Sequence, residues 1–197
     1  MGIKKADVTG VILAGGKSSR MGKNKALLEI GGERIIDKTV SLFKSLFKEV
    51  ILVTNTPEEY AGLDVKVVTD IFPGKGSLGG IYTGLTYASC DYSFIVSCDM
   101  PFLKRELIEY LINIKDGFDV VVPKLRSGYE PLHAVYSREC LKPIEALIKR
   151  DDLRIIGFYP KVRVKEVSED ELAPFISEPF PFININTPED YMAVFKK

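Results

Sequence analysis

An apolar run that ends in a glycine-rich, basic loop constrains what this chain can fold into. The run from Val8 to Leu13 predicts a buried strand, and Gly15 and Gly16 follow one residue later. Four cations come next in the same loop: Lys17, Arg20, Lys23 and Lys25. Glycines let backbone N–H groups approach an anion closely, and cations add charge-assisted hydrogen bonds. The stretch therefore predicts an anion-binding loop directly after a strand.

The end of this loop is similar to the end of a Walker A motif, but the rest of that motif is missing. Gly16-Lys17-Ser18 has the right residue types, whereas the glycine required five positions before Gly16 is replaced by Val11. The loop is therefore predicted to bind its anion in another way.

Composition argues against several classes of function. Lys plus Arg and Asp plus Glu both number 27, so the formal net charge is zero and no nucleic-acid partner is predicted. The three cysteines form no CxxC pair and there is one histidine, so no zinc site is predicted and a reduced, cytoplasmic setting is expected. No signal peptide or membrane-spanning run is recognised, so no membrane partner is expected.

Strand and helix patterns alternate along the first part of the chain. Strands are predicted at 8–13, 26–30, 50–53, 65–69, 93–97 and 119–123, and helices at 33–47, through Ile81, Leu85 and Ala88, and at 104–114. The strands are apolar without strict alternation, which is typical of a parallel sheet covered by helices on both faces. The fold class predicted is therefore α/β, with a mostly parallel sheet.

The later part of the chain departs from this alternation. It predicts strands at 131–136 and 162–167, a helix at 137–149 with Ser137 as its N-cap, and a last helix opened by Thr187 and Pro188. No linker or repeat divides the sequence, so residues 1–197 are expected to form one domain.

Polar residues collect where the predicted strands end. Ligands of open parallel sheets bind beyond the carboxyl ends of the strands, so these residues are expected to face one crevice. They are the loop at 15–25, Asn55, Asp70, Asp99, Asn184 and Asn186.

Asp99 is the sharpest candidate for metal chemistry. It follows a buried strand, and Met100 and Pro101 turn the chain away so that the carboxylate stays in the crevice. Mg²⁺ takes one or two protein carboxylates and completes its shell with water and phosphate oxygens. The alternative is a turn residue that caps the helix starting near Lys104.

Asp70 and Asn55 each have two interpretations. Asp70 is a second carboxylate or a nucleoside contact, or else it stabilises the turn after its strand. Asn55 recognises a base or ribose, or else it forms the turn that precedes Pro57.

A competing motif lies at residues 74–79. Gly74, Gly76 and Gly79 match G-x-G-x-x-G, and Asp99 lies 20 residues further on, as in dinucleotide-binding proteins. The glycines do not follow their strand directly, because Asp70 and Pro73 intervene, and an NAD site leaves the basic loop at 15–25 without a role. An NAD-dependent oxidoreductase is therefore the least favoured alternative.

Other reactive residues have simpler interpretations. His133 lies within an apolar strand and is predicted to be a core or edge residue rather than a catalytic base. The cysteines have no neighbouring histidine and are not predicted to be nucleophiles. Lys142, Lys149 and Arg150 are interpreted as a solvated helix face.

The segment 13–25 resembles the signature of nucleotidyltransferases with a Rossmann-like fold, LAGG-x₃-RMG-x₂₋₃-K. Five more segments follow in the order found in the molybdenum cofactor guanylyltransferase family: 53–55, 70 with 76–81, 98–101, 130–136 and 182–190. Together they span nearly the whole chain. The resemblance implies a three-layer fold, with a nucleotide-binding half at about 8–123 and an acceptor-binding half at about 124–197.

The resemblance also implies an activity and the residues that perform it. The activity is transfer of GMP from GTP to the phosphate of molybdopterin with Mg²⁺ as cofactor, with other cofactor-biosynthesis or acceptor proteins as further partners. The implied nucleotide contacts are Leu13, Ala14, Gly15, Gly16, Lys25, Asn55, Asp70 and Asp99. Arg20, Lys25 and Asp99 are the implied catalytic residues, with Asp99 on the Mg²⁺, and Asn184 and Asn186 are on the acceptor side.

Two departures leave the choice of nucleotide open. Two residues separate Gly22 from Lys25 where some members have three, and 76–80 reads Gly-Ser-Leu-Gly-Gly where many guanylyltransferases have Gly-Pro-Leu-Ala-Gly. Transfer of CMP to the same acceptor, or nucleotidyl transfer to another small-molecule or sugar phosphate, is the alternative reaction. The alternative that is not an enzyme is a nucleotide-binding adaptor for partner proteins.

Overall fold

A computed structural model describes residues 5–15, 25–178, 180–185 and 190, and for Lys25 and Ile30 it describes the backbone alone. The strands within these ranges are β1 Ala6–Leu13, β2 Glu29–Ile30, β3 Glu33–Arg34, β4 Phe47–Thr54, β5 Lys66–Thr69, β6 Tyr92–Ser97, β7 Val120–Leu125, β8 Gly128–Tyr129, β9 His133–Ser137 and β10 Val164–Ser168. The α-helices are α1 Ile35–Leu46, α2 Gly76–Tyr87, α3 Arg105–Asn113, α4 Leu141–Lys149 and α5 Glu169–Leu172.

Most strands form one mixed sheet in the order β10-β7-β9-β6-β1-β4-β5, and β8 pairs with β7. The pairs that β1 makes with β4 and β6, β4 with β5 and β10 with β7 are parallel. Strand β9 runs antiparallel to both β6 and β7. The prediction of a mostly parallel sheet is confirmed, and the departure expected in the later part of the chain is the reversed β9.

The helices cover both faces of this sheet, as predicted. Alternate side chains of β1 point to opposite faces, so Val8 and Ile12 pack into one core and Val11 and Leu13 into another. The first core contains the apolar residues of α1 and α3, and the second contains those of α2 and α4. The result is three layers, with β1 near the middle of the central one.

Two glycines allow helices and sheet to approach closely at β1. A Cβ on Gly84 of α2 would lie 2.6 Å from Val11 Cγ1, and one on Gly10 would lie 2.5 Å from Phe47 Cδ2. Real Cβ atoms do not make such contacts, so both positions require glycine for close packing.

Several local predictions are corrected by the structure. The strand predicted at 26–30 is a 3₁₀ turn at Lys25–Leu27 followed by β2, which forms a two-residue hairpin with β3. Gly31 and Gly32 have φ of 64° and 82°, as a type I′ hairpin turn requires.

Ser137 does not cap the helix that follows it. The segment starts as a 3₁₀ turn at Arg138–Cys140, and α4 begins at Leu141. The Ser137 hydroxyl makes no cap hydrogen bond and instead lies 3.4 Å from Asp119 Oδ1. The prediction from residue type was wrong because a buried carboxylate competes for the hydroxyl. The last helix was expected from Thr187 and Pro188, which lie outside the described residues.

Candidate active site

The strands β1 and β6 define a topological switch point in the sheet. They are neighbours, yet β1 leads through α1 to β4 on one side, and β6 leads through α3 towards β7 on the other. Both helices pack on the same face. The connections diverge and leave a crevice beyond the carboxyl ends of β1 and β6, which is where open α/β sheets bind ligands.

The backbone that follows β1 is held between its two neighbours. Ala14 N donates to Val53 O at 2.8 Å, and Cys98 N donates to Leu13 O at 3.0 Å. The Thr54 hydroxyl donates to Ala14 O at 3.2 Å. Leu13 and Ala14 are buried, whereas Gly15 is exposed at the crevice. The predicted nucleotide-contact segment is therefore fixed just before the loop begins.

Asn55 lies beside this segment. Its side chain is close to Gly15, since a Cβ on that glycine would lie 3.7 Å from Asn55 Nδ2. The turn towards Pro57 is stabilised by Thr54, whose hydroxyl accepts from Thr56 N at 3.1 Å. The turn role considered for Asn55 is thus performed by Thr54. The sequence pattern could have indicated this, because threonine hydroxyls commonly stabilise turns. The exposed Asn55 amide is left to face the crevice.

Asp99 occupies the same crevice beyond β6. Its Oδ1 is buried and has no hydrogen-bond partner among the residues the structure describes. The capping role is not observed, because α3 begins at Arg105 and no side chain makes a hydrogen bond at its N-cap, Lys104. A buried carboxylate oxygen without a partner is costly, and a bound cation is one way of satisfying it.

The C-terminal segment is attached to Asp99 through its backbone. Ile185 N donates to Asp99 O at 2.9 Å, and the Ile185 side chain is fully buried. This brings the exposed Asn184 next to the residue that follows β6. Asn186 lies outside the described residues. Sequence reasoning placed Asn184 in this crevice without identifying the backbone hydrogen bond that holds it there.

Asp70 is engaged in a structural arrangement at the end of β5. Its Oδ1 accepts from Phe72 N at 3.0 Å and from the Thr83 hydroxyl at 2.8 Å, and Thr83 in turn accepts from Ile71 N at 2.9 Å. The turn role of Asp70 is therefore real, and it ties the loop to α2. The partner Thr83 was missed, because a contact across 13 residues leaves no local pattern.

Asp70 and Asp99 do not lie on adjacent strands. Strands β4 and β1 separate β5 from β6, and three strand spacings amount to about 14 Å. Within the described parts of the chain, no group of three or more His, Cys, Asp or Glu residues is arranged to hold a metal ion. The structure thus does not pair the two carboxylates on one metal.

His133 is a core residue, as predicted. It is fully buried between the rings of Phe94 and Phe182, with centroids 5.2 and 5.1 Å away. Burial lowers the pKa of its imidazole to about 3, and neither ring nitrogen has a partner in the part of the chain described. A permanently neutral imidazole in an apolar setting is not a general base at neutral pH.

Glu130 is a further titratable group at this edge of the sheet. It precedes β9, and Leu132 O accepts from Ser97 N at 3.2 Å, so the 130–132 turn lies level with the end of β6. Burial raises the pKa of the Glu130 carboxyl to about 7. The sequence analysis quoted this residue in a motif but gave it no role, since its burial depends on the packing of the turn.

The basic half of the predicted site cannot be placed. Gly16 and Arg20 lie outside the described residues, and Lys25 is described only as the first backbone position of a 3₁₀ turn. The residues that the structure does bring together around the crevice are Leu13, Ala14, Gly15, Asn55, Asp99 and Asn184.

The fold and the crevice define an α/β protein that binds its ligand at a topological switch point of a mostly parallel sheet. The sequence matches the family model described as the MobA-like NTP transferase domain over residues 10–162. The chain therefore belongs to the MobA-like NTP transferase family.

Individual relatives resemble the chain over nearly its whole length. A probable molybdenum cofactor guanylyltransferase from Pelotomaculum thermopropionicum is 42% identical, with 92% of this chain and 89% of that protein covered. A molybdenum cofactor guanylyltransferase from Desulfosudis oleivorans is 44% identical, with coverages of 93% and 92%. The crystal structure of molybdopterin-guanine dinucleotide biosynthesis protein A from Archaeoglobus fulgidus superposes with a TM-score of 0.84 at 25% identity, covering 96% and 97%.

None of the helices within the described ranges is long and apolar enough to cross a membrane.

Proposed function

We propose that this chain transfers GMP from GTP to the phosphate of molybdopterin, forming molybdopterin guanine dinucleotide and pyrophosphate. Membership of the MobA-like NTP transferase family and the names of the two relatives support this reaction. The structural observation that carries the proposal is Asp99, which lies at the switch point beside the 13–15 segment. Its Oδ1 is buried and has no hydrogen-bond partner among the described residues.

The donor set at Asp99 fits Mg²⁺. A single carboxylate is enough for this ion when water and substrate phosphate oxygens complete the octahedral shell. In this proposal Asp99 holds the Mg²⁺, which would neutralise charge on the phosphate oxygens of the nucleotide.

The reaction needs positioning and positive charge more than it needs a strong base. An oxygen of the acceptor phosphate forms a bond to the α-phosphorus of GTP, and the bond from that phosphorus to the bridging oxygen of the β-phosphate breaks. Phosphate monoesters lose their second proton near pH ~6, so the attacking oxygen is already anionic at neutral pH. A neutral, buried His133 is therefore compatible with the chemistry.

The predicted site residues divide into two groups around this step. Gly15 and Gly16 N–H groups, Arg20 and Lys25 stabilise the charge on the phosphates, and Leu13, Ala14, Asn55 and Asp70 contact the rest of the nucleotide. Asn184 and Asn186 orient the acceptor. These roles assign 8–123 to the nucleotide and 124–197 to the acceptor within one domain, and we expect the enzyme to act in the cytoplasm.

The substitution Asp99→Asn tests the metal role. It retains the size of the side chain but removes the charge that binds Mg²⁺, so we expect transfer to fall by about 100-fold or more. Pyrophosphate release with GTP, Mg²⁺ and molybdopterin measures the loss, and thermal unfolding checks that the fold is retained.

Asp116→Asn is the matched control, because its side chain is 85% exposed and forms only a surface ion pair with Lys115. It is expected to retain wild-type transfer. Full activity of Asp99→Asn, or an equal loss in both variants, would contradict the assignment of Asp99.

Transfer of CMP is the second candidate reaction. It is favoured by the sequence 76–80, Gly-Ser-Leu-Gly-Gly, which departs from the form common in guanylyltransferases. This segment begins α2, and Gly79 lies against Asp70, since a Cβ there would be 3.3 Å from Asp70 Oδ2. A change in this segment therefore lies where we place the nucleoside.

A further inference from the structure

A basic groove lies at the opposite edge of the sheet from the crevice. It is an open cavity of about 1120 Å³ between α4 and the 3₁₀ turn Ile155–Lys161. Asp119 and Arg163, which line it, come directly before β7 and β10, whereas Asp99 follows β6, which runs parallel to β7. The length of β7 places the Asp119 end of the groove about 20 Å from the level of Asp99. From there α4 extends the groove to Arg150, whose neighbour Asp151 pairs with Lys75 directly before α2. None of the residues that line the groove is one of those around the crevice.

The groove is lined by more cations than anions. Five cations line it: Lys142, Lys149, Arg150, Lys161 and Arg163. Two anions line it as well, Asp119 and Glu139, and Asp119 pairs with Arg163 at 2.8 Å. Lys149 pairs at 2.8 Å with Glu145, which is not part of the lining. Lys142, Arg150 and Lys161 form no ion pair with any residue in the described ranges. The sequence analysis treated the α4 cations as a solvated face, and the structure places Lys161 on a second wall opposite them.

The spacing of these charges indicates an extended ligand. Lys142 and Arg150 are eight positions apart along α4 and its C-cap, which is a distance of about 12 Å at 1.5 Å per residue. Cations spaced in this way are matched better by several anionic groups along a chain than by one. An extended peptide rises by about 3.3 Å per residue, so a segment of about four residues matches the distance.

The floor of the groove indicates a peptide rather than a nucleic acid. Its accessible apolar residues are Pro143, Ala146 and Val162, which are exposed or half-buried. Phe158 is only 1% exposed, so it offers no ring face on which a base could stack, and stacking on aromatic rings is the common basis of single-strand binding. Apolar contacts between flanking charges instead suit a polypeptide in which acidic and apolar residues alternate.

We propose that this basic groove, formed by Lys142, Arg150 and Lys161 above an apolar floor, docks an acidic segment of a partner protein. Opposite charges speed the encounter and set the orientation, and the apolar floor accepts the side chains between the acidic ones. The groove shares no lining residue with the crevice, so we expect a partner bound at Lys142 and Lys161 to leave Asp99 accessible. The proposal does not depend on the reaction performed in that crevice.

Binding of a short fluorescein-labelled peptide in which Glu alternates with Leu tests the proposal by fluorescence anisotropy. We expect the full-length protein to bind this peptide, and to bind the same peptide with Gln for every Glu at least about tenfold more weakly. The double substitution Lys142→Glu and Lys161→Glu should lower the affinity for the Glu peptide by about tenfold or more. Raising the salt concentration should weaken binding of the Glu peptide by the wild type.

Two controls separate docking from general charge effects. Lys44→Glu with Lys48→Glu reverses two cations outside the groove, each paired with an exposed aspartate, and should leave peptide affinity unchanged. Lys142→Gln with Lys161→Gln repeats the test without new repulsion. Both groove variants should retain the wild-type melting temperature and wild-type pyrophosphate release, since their side chains are exposed and far from Asp99.

Three results would overturn the proposal. The first is equal affinity of the wild type for the Glu and Gln peptides. The second is a loss of Glu-peptide affinity in the Lys44→Glu/Lys48→Glu variant equal to that in the Lys142→Glu/Lys161→Glu variant. The third is an RNA oligonucleotide that binds the wild type more tightly than the Glu peptide and loses affinity in the groove variants, which would assign the groove to nucleic acid.

Discussion

Two features of Asp99 fix its place at the crevice. One carboxylate oxygen is buried without a partner among the described residues, while the backbone carbonyl accepts a hydrogen bond from Ile185. An unsatisfied buried oxygen costs about 1–3 kcal/mol or more, so a purely structural aspartate would be expected to find a donor. We interpret the arrangement as a site kept ready for a cation that arrives with the substrate.

His133 makes stability depend on pH in a direction that can be measured. Its pKa is about 3 in the folded chain, below the ordinary value of 6.5 in the unfolded chain. Between these values the unfolded chain binds more protons, so the free energy of unfolding falls as pH falls, by up to about 1.4 kcal/mol per pH unit. The contribution is fully present above pH 6.5.

The variant His133→Leu isolates this contribution. Leucine fills the site between Phe94 and Phe182 and cannot bind a proton, so we expect its stability to fall less than that of the wild type between pH about 7 and about 5. Urea denaturation at several pH values gives the free energy of unfolding of both proteins. The contributions of the carboxylates, which the two proteins share, cancel in the difference between them. Parallel pH profiles would show that the imidazole is not buried in the folded state.

Single residues show what sequence reasoning can reach and where it stops. The position of Asp99 beyond β6 and the core setting of His133 were predictable, because each follows from where the residue lies relative to one strand. The role of Thr54 in the turn could not be decided from the sequence, because it depends on which side chain lies close enough to accept from Thr56 N. The raised pKa of Glu130 was not predictable either, because it depends on burial. The partners Thr83 and Ile185 are set by contacts distant in sequence.

At the scale of elements, α2 is attached to β5 through Asp70 and Thr83. Replacing Thr83 by Val leaves both Asp70 Oδ1 and Ile71 N short of a partner, so we expect a loss of about 1–3 kcal/mol in the free energy of unfolding. If the loop positions the nucleoside, GTP affinity should fall as well. Chemical denaturation and calorimetric titration with GTP measure the two effects.

Thr86→Val is the matched control on the same helix. The exposed Thr86 hydroxyl donates only to Tyr82 O, so this variant should change stability by less than about 0.5 kcal/mol. Equal effects of the two substitutions would show that the contact with Asp70 contributes nothing.

Asp119 connects three strands at the end of the sheet opposite the carboxyl ends of β1 and β6. It lies directly before β7, accepts three hydrogen bonds from Arg163 before β10, and accepts one from Ser137 at the end of β9. The Arg163 guanidinium lowers the pKa of the carboxyl, so its charged form is stabilised in the folded chain. The substitution Asp119→Ala should cost about 1–3 kcal/mol, because the donors on Arg163 and Ser137 lose their acceptor.

Asp116→Ala provides the comparison for this edge. Its exposed ion pair with Lys115 should be worth less than about 1 kcal/mol. Urea unfolding curves of both variants give the difference. A cost for Asp119→Ala as small as that for Asp116→Ala would mean that the three strands are held by their backbone ladders alone.

The elements themselves were largely predictable, because apolar runs and helical periodicity fix where each one lies. Strands β1, β4, β5 and β6 and helices α1 and α3 differ from the predicted bounds by a few residues at most. The β2–β3 hairpin and the 3₁₀ start before α4 were missed, since strands of two residues carry no periodic signal. The antiparallel direction of β9 was also not specified by the sequence, because an apolar strand pattern is the same in either direction.

At the scale of the whole molecule, the sheet separates two surfaces with different charges and tasks. The carboxyl ends of β1 and β6 hold the crevice with Asp99, and the opposite edge holds the basic groove beside α4. The strand order could not be predicted from the sequence. The rule that ligands bind beyond the carboxyl ends of parallel strands was nevertheless enough to predict that Asp99, Asn55 and Asn184 face one crevice.

Nucleotide-dependent release of pyrophosphate, with molybdopterin as acceptor and Mg²⁺ present, tests the central claim most directly. We expect rapid release with GTP, little with CTP or UTP, and none when molybdopterin is omitted. Mass spectrometry should detect molybdopterin guanine dinucleotide as the product. Preferential release with CTP would assign the chain to CMP transfer. GTP binding without pyrophosphate release under any of these conditions would contradict the account and leave a nucleotide-binding module without transferase activity.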